Sequence, residues 1–545
     1  MSQDERTDSY KLREERLHKK EFLLENFQIN PYLLHLEEGF KATEENNSRS
    51  QSEHLWTEFK ANRLLSQEFK EKFENLPAGE KNENLIWVAG RIHSDRNNGM
   101  FLDIYDENGK IQIVTEKSEL ENPASYQQSE KHLLELIDKG DIIAVQGNPY
   151  RTPRGELSLK SKTIWLLSKA IQPPPEIIEN KRRRLGLTDV ETKYRQRYLD
   201  LMVNPDSREV FKKRAKIIAE IRHYLNEKNF LEFETPVLQT EAGGAAAKPF
   251  TTHHNALNLG LYLRIATELH LKRLLVGGFE RVYEIGRIFR NEGISTRHNP
   301  EFTSIEIYQA FADYTDMMSL TENLIIDLAE KVLENTVIHY KNHEINLKPA
   351  GGWRKVKMTD LVHEMTGKLI DPEKTTLSET VNFAKEAKVE IKAEMTVGEI
   401  LIEFFEQKCE AKLIQPTFVT HYPRDNSPLA FCSAHSVKAN ENKINNNPQT
   451  LERFELFVCG RELANGFTEL NDGQIQKQVF EMQQKQRQAG NEEAHPLDQD
   501  FVEALEYGMP PAGGVGIGID RLIMLLVNAE SIRDVILFPT MKPVH

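Results

Sequence analysis

Alternating polar residues mark two neighbouring segments, Arg281–Arg290 and Glu301–Tyr308, which predict a hairpin with one apolar face and one functional face. The functional face and the polar loop between the strands bring together Arg290, Arg297 and the ring of Phe302. Two guanidinium groups beside an aromatic ring can bind a nucleotide, by pairing with phosphate and by stacking on the base. The same residues also suit a solvated strand face with a surface salt bridge, and the pattern alone leaves both interpretations open.

Two glutamates further along the chain have the spacing of a carboxylate pair across a strand turn. With a turn at residues 459–460, we expect Glu455 to pair opposite Ala464, which puts Glu462 on the same face as a diagonal neighbour, at roughly 7–8 Å. Two carboxylates at that distance suit a Mg²⁺ ion that is shared with phosphate groups. The alternative is a structural carboxylate pair whose repulsion is relieved by Arg461.

Alternate glycines near the end of the sequence, Gly514, Gly516 and Gly518, predict a strand face without side chains. A planar group can approach the backbone of such a face closely, and the helix that follows carries Arg521 in its first turn. A dinucleotide-binding fold would need its glycines early, inside a strand–helix–strand unit with an acidic residue about 20 positions later. The position of these glycines therefore disfavours that fold.

Short strands and one amphipathic helix are the elements expected to position these residues. Five alternating runs between residues 86 and 161 predict a small β-barrel, and Pro173–Pro175 suggest a stiff linker after it. Apolar residues at helical spacing predict a helix at Arg208–Asn229, which is followed by a strand at Phe230–Pro236. The expected domains are a helical N-terminal extension (1–80), the barrel (81–172), the linker (173–190) and a large α+β domain (191–545) with an inserted helical segment at about 341–415.

Composition and charge limit the classes of protein that the sequence can encode. The sequence has 545 residues, of which 39% are hydrophobic and 28% are charged. These values are typical of an ordinary globular protein of several domains. The 3 cysteines are too widely spaced for a metal knuckle, and their odd number argues against a secreted disulfide framework. No apolar run reaches the ~18 residues of a membrane span. We therefore expect a cytoplasmic protein that has no membrane partner. The net charge of −14 argues against a nucleic acid partner unless positive charge is concentrated locally.

Three segments resemble, in the right order, the signature motifs of class II aminoacyl-tRNA synthetases. They are Phe230–Pro236 for motif 1, Arg281–Phe302 for motif 2 and Gly514–Leu525 for motif 3. A barrel in front of the catalytic domain is the arrangement of the subgroup that charges Asp, Asn and Lys. The runs at 187–201, 266–293 and 457–472 are most similar to lysyl-tRNA synthetases of eukaryotic cytosolic type.

This resemblance implies a fold and a reaction. The fold is α+β, with an antiparallel class II synthetase sheet flanked by helices, preceded by a five-stranded OB-fold β-barrel and an N-terminal helical extension. The reaction uses ATP and Mg²⁺ to join L-lysine to tRNA(Lys) through a lysyl-adenylate, with release of pyrophosphate and AMP. The implied partners are tRNA(Lys), lysine and a second copy of the chain bound through the motif 1 region. Membership of a multi-synthetase complex is left open.

The resemblance also implies roles for individual residues, with Arg290 and Arg521 as the catalytic groups on the α- and γ-phosphates. The implied ATP contacts are Arg290, Glu292, His298, Asn299, Phe302, Glu455 and Arg521, and the Mg²⁺ ligands are Glu455 and Glu462. The implied lysine contacts are Gly244, Glu268, Arg290, Glu306, Tyr308, Asn465, Phe467 and Glu469. The implied anticodon contacts are Arg91, Phe101, Gln112 and Glu156, with Phe101 stacked on the central uracil.

The expected amino acid pocket carries negative charge, which suits lysine as the substrate. Glu268, Glu306 and Glu469 would attract an ammonium group and repel the side chain of aspartate. An aspartyl- or asparaginyl-tRNA synthetase is therefore disfavoured, and a comparison of exchange rates with each amino acid would decide between them.

Other functions, and the position of Phe101 in the barrel, stay open at this stage. A noncatalytic paralogue that binds tRNA as a scaffold would be expected to lose Arg290, Arg521 or Glu462, and all three are present. Adenylation for the synthesis of signalling dinucleotides uses the same site, so the sequence does not exclude it as a side activity. In the barrel, the alternative to anticodon stacking is that Phe101 belongs to the hydrophobic core.

Overall fold

The computed structural model describes residues 3–27, 32, 56–120, 133–179, 182–424, 427–432, 450–488 and 496–543. The chain divides into two compact units, Met1–Arg208 and Glu209–His545. Within the described residues, every helix lacks the length or the apolar character that a bilayer crossing requires. Each unit contains its own hydrophobic core.

A closed five-stranded barrel forms the centre of the first unit, which confirms the expected OB-fold. Its strands pair in the order β1-β2-β3-β5-β4, and they are β1 (Ile86–Arg96), β2 (Phe101–Tyr105), β3 (Lys110–Val114), β4 (Ile142–Arg151) and β5 (Leu157–Ser168). Alternate residues such as Leu102, Ile104 and Ile113 point into the barrel and form its core. Their neighbours Phe101 and Gln112 therefore belong to the outer face.

Helices and a short hairpin complete the first unit. The helices are α1 (Gln3–Phe27), α2 (Ser66–Lys72), α3 (Leu133–Leu136), α4 (Val190–Arg195) and α5 (Arg197–Val203), and residues 56–62 are also helical. The segment expected as a linker, 173–190, contains a hairpin of β6 (Glu176–Glu179) and β7 (Arg182–Leu185).

An eight-stranded sheet forms the centre of the second unit, with strand order β16-β17-β18-β19-β20-β13-β12-β8. The strands of this unit are β8 (Leu231–Glu232), β9 (Leu238–Gln239), β10 (Thr251–His254), β11 (Leu259–Leu263), β12 (Arg281–Phe289), β13 (Glu301–Ala310), β14 (Val337–Tyr340), β15 (His343–Asn346), β16 (Arg354–Lys357), β17 (Thr417–Thr420), β18 (Arg453–Phe457), β19 (Glu462–Thr468) and β20 (Ala512–Gly518). Only the outer pairs β16–β17 and β12–β8 are parallel. The expected antiparallel sheet flanked by helices is thereby confirmed.

The hairpin of β12 and β13 separates a core face from a polar face, as its alternation predicts. Tyr283, Ile305 and Ile307 are fully buried in the main hydrophobic core beneath the sheet. Glu284 lies opposite Glu306 on the other face of the same two strands. The hairpin therefore directs its polar side chains to the side of the sheet away from this core.

Helices cover the second unit, and several of them form the inserted segment. The helices are α6 (Pro205–Glu227), α7 (Glu268–Val276), α8 (Tyr314–Leu328), α9 (Met358–Thr366), α10 (Leu377–Ala387), α11 (Val397–Lys408), α12 (Gly473–Gln488), α13 (Gln499–Glu506), α14 (Ile519–Leu526) and α15 (Ile532–Val535). Residues 329–333 continue α8 as a π-helix, and residues 410–412 form a 3₁₀ turn. Helices α9 to α11 lie within the segment expected to be inserted at about 341–415.

The strand expected at 230–236 is shorter than predicted, because only Leu231 and Glu232 pair with β12. Three residues later, the Thr235 hydroxyl donates to the Glu284 carboxylate at 2.6 Å. This side-chain contact replaces strand pairing, so the chain leaves the edge of the sheet before Pro236.

A buried ion cluster in the first unit generates a stability prediction. The side chains of Lys169 and Asp141 are both 0% exposed, and their Nζ–Oδ2 distance is 2.8 Å. Lys169→Met would leave the Asp141 carboxylate without its cation, so we expect a loss of about 3–5 kcal/mol in the free energy of unfolding. Urea denaturation followed by tryptophan fluorescence measures it, since Trp87 and Trp165 lie in the barrel.

The control for this prediction is Lys139→Met, because Lys139 is 31% exposed and pairs with Glu176 at the surface. Its loss should cost less than about 1 kcal/mol. Equal losses in the two variants would contradict the assignment of Lys169 as a buried counter-ion.

Candidate active site

A cavity of about 390 Å³ opens on the polar face of the sheet. Its lining includes every residue expected to contact ATP or lysine except Glu455, namely Gly244, Glu268, Arg290, Glu292, His298, Asn299, Phe302, Glu306, Tyr308, Asn465, Phe467, Glu469 and Arg521. Glu455 lines an adjoining cavity of about 560 Å³, which shares Arg297, Glu462 and Arg521 with the first. The fold therefore brings residues from three distant parts of the sequence to one place.

The glycines of β20 form the floor of this cavity. Gly514 lies opposite Tyr308, and Gly516 lies opposite Glu306. A Cβ at position 514 would collide with the Glu469 carboxylate and come within 2.5 Å of Tyr308 Cε1. A Cβ at position 516 would meet nothing closer than Glu306 Cγ at 3.7 Å, which is ordinary contact. Glycine is therefore needed at 514 for close packing, whereas at 516 it leaves open space.

Three buried carboxylates occupy one end of the cavity. Glu268, Glu306 and Glu469 are 7%, 9% and 1% exposed. Glu306 accepts the backbone N–H of Thr267 at 3.1 Å and the hydroxyl of Tyr308 at 3.0 Å. Burial raises the pKa of all three carboxyl groups, and their mutual repulsion adds to this increase for Glu306 and Glu469. This end of the cavity therefore favours a ligand with positive charge.

A buried lysine that the sequence analysis missed lies behind two of these carboxylates. Lys272 Nζ is 2.6 Å from Glu268 Oε1 and forms a second ion pair with Glu469. Its positive charge opposes the rise in the pKa of Glu268 and Glu469. The spacing of four residues between Glu268 and Lys272 was the available signal, but it is also typical of a surface ion pair on a helix.

Arg290 and Phe302 lie together on the wall of the cavity. The guanidinium carbon of Arg290 is 5.3 Å from the centre of the Phe302 ring. Arg290 also donates to the backbone carbonyl of Ile265 at 3.4 Å. Burial lowers the pKa of Arg290, and the negative charge of Glu292 opposes this effect. The two residues thus present a cation and an aromatic ring to the same space.

Arg521 supplies a second cation where the two cavities meet. It donates to the backbone carbonyl of Glu462 at 3.0 Å and to its carboxylate at 3.2 Å. Its Nη2 lies 3.3 Å from Nε2 of His298, and burial together with the charge of Arg521 lowers the pKa of that imidazole.

Asn299 is buried and donates to the Glu301 carbonyl at 2.6 Å, while its Oδ1 has no partner among the described residues.

The strand pairing around Glu455 differs from the expected register. The turn lies where predicted, but Glu455 pairs with Asn465 rather than with Ala464, because a β-bulge adds a residue to β19. Glu462 lies opposite Phe457, which is two residues from Glu455 on the same strand. The two carboxylates therefore still share one face, as the chemistry requires.

Arg453 balances the charge of Glu455, whereas Arg461, the cation of the alternative interpretation, lies 5.4 Å from the centre of the Tyr340 ring. Arg453 Nη2 lies 2.5 Å from Glu455 Oε1, and the Tyr422 hydroxyl donates to Oε2 at 2.9 Å. Burial raises the pKa of Glu455 to about 7, and the negative charge of Glu462 adds to the increase. Sequence reasoning missed Arg453, although it lies two residues from Glu455 on the same strand face.

The donor set around Glu455 and Glu462 fits Mg²⁺. Both side chains supply oxygen ligands, and their mutual repulsion would be relieved by a divalent cation. Within the described residues, no group of three His, Cys, Asp or Glu side chains could hold a metal. A cation beside nucleotides is usually held by one or two carboxylates together with phosphate oxygens when it is Mg²⁺.

Of the expected anticodon residues, Phe101 and Gln112 lie on the outer surface of β2 and β3 and Glu156 just before β5, whereas Arg91 lies on β1 opposite Tyr105, four residues along β2 from Phe101. Phe101 is half-buried and pairs opposite Arg96, whose guanidinium carbon is 5.8 Å from the ring centre. Gln112 is on the same outer face. Glu156 forms an ion pair at 3.3 Å with Lys110, which lies two residues before Gln112 on β3. The inward residues of β2 are Leu102 and Ile104, which alternate with Phe101. The alternative that Phe101 belongs to the barrel core is therefore wrong. Arg91 donates to the Gly140 carbonyl at 2.7 Å.

Comparisons with known proteins agree with this arrangement. Residues 189–542 match the family described as tRNA synthetases class II (D, K and N), and residues 86–167 match the OB-fold nucleic acid binding domain. The chain is 52% identical to the lysine–tRNA ligase of Bacillus subtilis (strain 168) over 482 residues, which are 88% of this chain and 91% of that relative.

Two further relatives are similar over almost their whole length. The lysine–tRNA ligase of Bacillus cereus (strain G9842) is 47% identical over 545 residues, covering 99% of both chains. That of Synechococcus sp. (strain RCC307) is 49% identical over 536 residues, which are 98% of this chain and 96% of the relative. These relatives are bacterial, so the expected eukaryotic cytosolic type is not supported.

The floor of the cavity generates a prediction about packing. Gly514→Ala should lower the free energy of unfolding by about 1–3 kcal/mol, because the methyl group must displace Glu469 and Tyr308. Gly516→Ala should leave it unchanged or raise it slightly, since the methyl group meets no close neighbour and the unfolded chain loses entropy. Thermal unfolding of the two variants measures the difference. A neutral Gly514→Ala would contradict the close contact.

Proposed function

The chain belongs to the class II tRNA synthetases (D, K and N), and we propose on that premise that it ligates L-lysine to tRNA(Lys) at the expense of ATP, through a lysyl-adenylate. The observation that carries the proposal is a single cavity with buried carboxylates at one end and guanidinium groups at the other. Relatives named lysine–tRNA ligase, at 47% to 52% identity over most of the chain, support lysine as the substrate.

The acidic end of the cavity would bind the two ammonium groups of lysine. Glu268 and the backbone at Gly244 suit the α-ammonium, and Glu469 with Tyr308 suits the ε-ammonium. Glu469 Oε1 has no hydrogen-bond partner among the described residues, so an acceptor is available for that group. Glu306, Asn465 and Phe467 complete the wall. An aspartate side chain at the same place would face the three carboxylates Glu268, Glu306 and Glu469.

The cationic end would bind ATP. Phe302 offers a platform for the adenine ring, Arg290 suits the α-phosphate and Arg521 suits the γ-phosphate. Glu292, His298 and Asn299 would support these contacts from the motif 2 loop. Mg²⁺ held by Glu455 and Glu462 would supply further positive charge beside the phosphates.

The proposed reaction needs orientation and charge rather than a protein nucleophile. The lysine carboxylate attacks the α-phosphorus, the bond to pyrophosphate breaks, and the adenylate forms. The charges of Glu306 and of Glu462 both act on Arg290, so it can hold the attacking carboxylate and the α-phosphate in line. Arg521 stabilises the negative charge that accumulates on pyrophosphate. A hydroxyl of the 3′ adenosine of tRNA then takes the lysyl group, and AMP leaves.

The barrel would recognise the anticodon of tRNA(Lys). Phe101 offers a stacking surface on the outer face, and Gln112 and Glu156 offer polar groups for the edge of an unpaired base. The match of residues 86–167 to an OB-fold nucleic acid binding domain supports this role. Dimerisation through the motif 1 region and a cytoplasmic location belong to the same proposal.

Glu469 provides the direct test of the substrate. Glu469→Gln removes the charge that faces the ε-ammonium, which should weaken lysine activation by roughly 30-fold to several thousand-fold, equivalent to about 2–5 kcal/mol. Lysine-dependent ATP–pyrophosphate exchange measures the effect, and Glu503→Gln on the exposed side of α13 serves as the matched control. Unchanged exchange in Glu469→Gln, or faster exchange with aspartate than with lysine in the wild-type protein, would contradict the proposal.

Phe101 provides the test of the barrel. Phe101→Ala should lower kcat/KM for tRNA(Lys) by roughly 5- to 150-fold, because a stacked base contributes about 1–3 kcal/mol. The exchange reaction without tRNA should keep its rate, since it uses only the second unit. Aminoacylation and exchange measured on one preparation separate these effects. Equal losses in both reactions would show a general defect instead.

A further inference from the structure

Lys272 is a buried cation at the acidic end of the cavity that no step of the proposed reaction uses. Its side chain is 0% exposed, with Nζ 2.6 Å from Glu268 Oε1 and a second ion pair to Glu469. The rings of Phe467 and Phe501 lie 5.4 Å and 6.0 Å from Nζ. The ammonium group is therefore enclosed by two carboxylates and two aromatic rings.

The position of Lys272 means that it can act on a ligand only through its partners. Glu268 and Glu469 line the cavity, whereas the lysine lies behind them. An ammonium group at such a site is costly to bury unless it is fully paired, and an apolar side chain of similar volume could fill the same space. The charge, rather than the volume, is therefore the property of Lys272 that calls for a role.

A count of charges indicates what that role is. Glu268, Glu306 and Glu469 contribute −3, and Lys272 contributes +1, so the acidic end carries −2 when all four groups are ionised. A diamino acid brings +2 through its two ammonium groups, while its own carboxylate is directed to Arg290. The lysine side chain of the protein thus leaves the acidic end with the charge that matches such a ligand.

We propose that Lys272 is a positioning residue that keeps Glu268 and Glu469 ionised and fixed in place, and thereby sets the preference for an amino acid with a second ammonium group. The inference rests on the proposed lysine substrate. It assigns the selectivity of the pocket to four charged side chains rather than to the carboxylates alone.

Loss of this charge should make lysine binding depend on pH. Without Lys272, Glu469 would face Glu268 from α7 and Glu306 and Tyr308 from β13, and the cation that would still act on Glu268 is Arg453 from β18. Repulsion between carboxylates raises their pKa values, and a protonated Glu469 cannot pair with an ammonium group. Affinity for lysine should therefore be lost at lower pH and recovered as the pH rises above the raised pKa.

The test compares Lys272→Gln, which removes the charge, with Lys272→Arg, which keeps it. The KM for lysine and the KM for ATP are measured by ATP–pyrophosphate exchange between about pH 6.5 and 9, a range in which free lysine keeps its side-chain charge. Lys385→Gln on the exposed face of α10 is the matched control. The preference for lysine over norleucine, which lacks the second ammonium group, is measured with the same variants.

We expect Lys272→Gln to raise the KM for lysine by roughly 30-fold or more near neutral pH and by less at about pH 9, with the KM for ATP unchanged. Its preference for lysine over norleucine should fall by a similar factor. Lys272→Arg should keep the wild-type pH profile, and so should the control.

Two results would overturn the assignment. One is a wild-type KM and pH profile for lysine in Lys272→Gln, and the other is an equal rise in the KM for lysine and for ATP at every pH. If Lys272→Gln does not fold, Lys272→Arg decides, because a shifted pH profile in the folded arginine variant contradicts the assignment and a wild-type profile supports it. A wild-type protein without lysine-dependent exchange would instead refute the proposed function itself.

Discussion

Charge separation within one cavity is the constraint on which the rest of the site depends. Buried carboxylates at one end and guanidinium groups at the other would each be unfavourable without a partner of opposite sign. Lys272 and Arg453 balance part of the negative charge within the protein. The remaining charge is left for ligands, which explains how a buried polar cavity can be both stable and selective.

The antiparallel sheet provides the geometry for this separation. β13 lies between β12 and β20, so that Glu306 faces Glu284 on one side and Gly516 on the other. Tyr283 and Ile307 hold the opposite face of the same strands in the core. A rigid apolar layer thus fixes the polar groups, while glycine on β20 clears the space in which a ligand would lie.

The alternation of side chains along the strands made much of this arrangement predictable from the sequence. The alternation in Arg281–Tyr308 predicts correctly that Tyr283, Ile305 and Ile307 enter the main core, and the glycines of β20 predict a bare face. The motifs of the class II synthetases add the order of the elements. The outward position of Phe101 also follows from alternation, once the direction of Leu102 is known.

The parts that could not be predicted depend on tertiary contacts. A bulge after Glu462 shifted the register by one residue, because sequence spacing cannot reveal where an extra residue leaves the ladder. The burial of Lys272 depends on α7 packing against β12, β13 and α13, which local periodicity does not encode. The chain likewise leaves the edge strand early because Thr235 finds a side-chain partner on β12.

A crystal structure with ATP and L-lysine would test the central claim most directly. The account predicts that the ε-ammonium of lysine lies within hydrogen-bond distance of Glu469, with its carboxylate at Arg290 and facing the α-phosphate. Lysine bound in the reverse direction, or ATP bound away from Arg290 and Arg521, would contradict it.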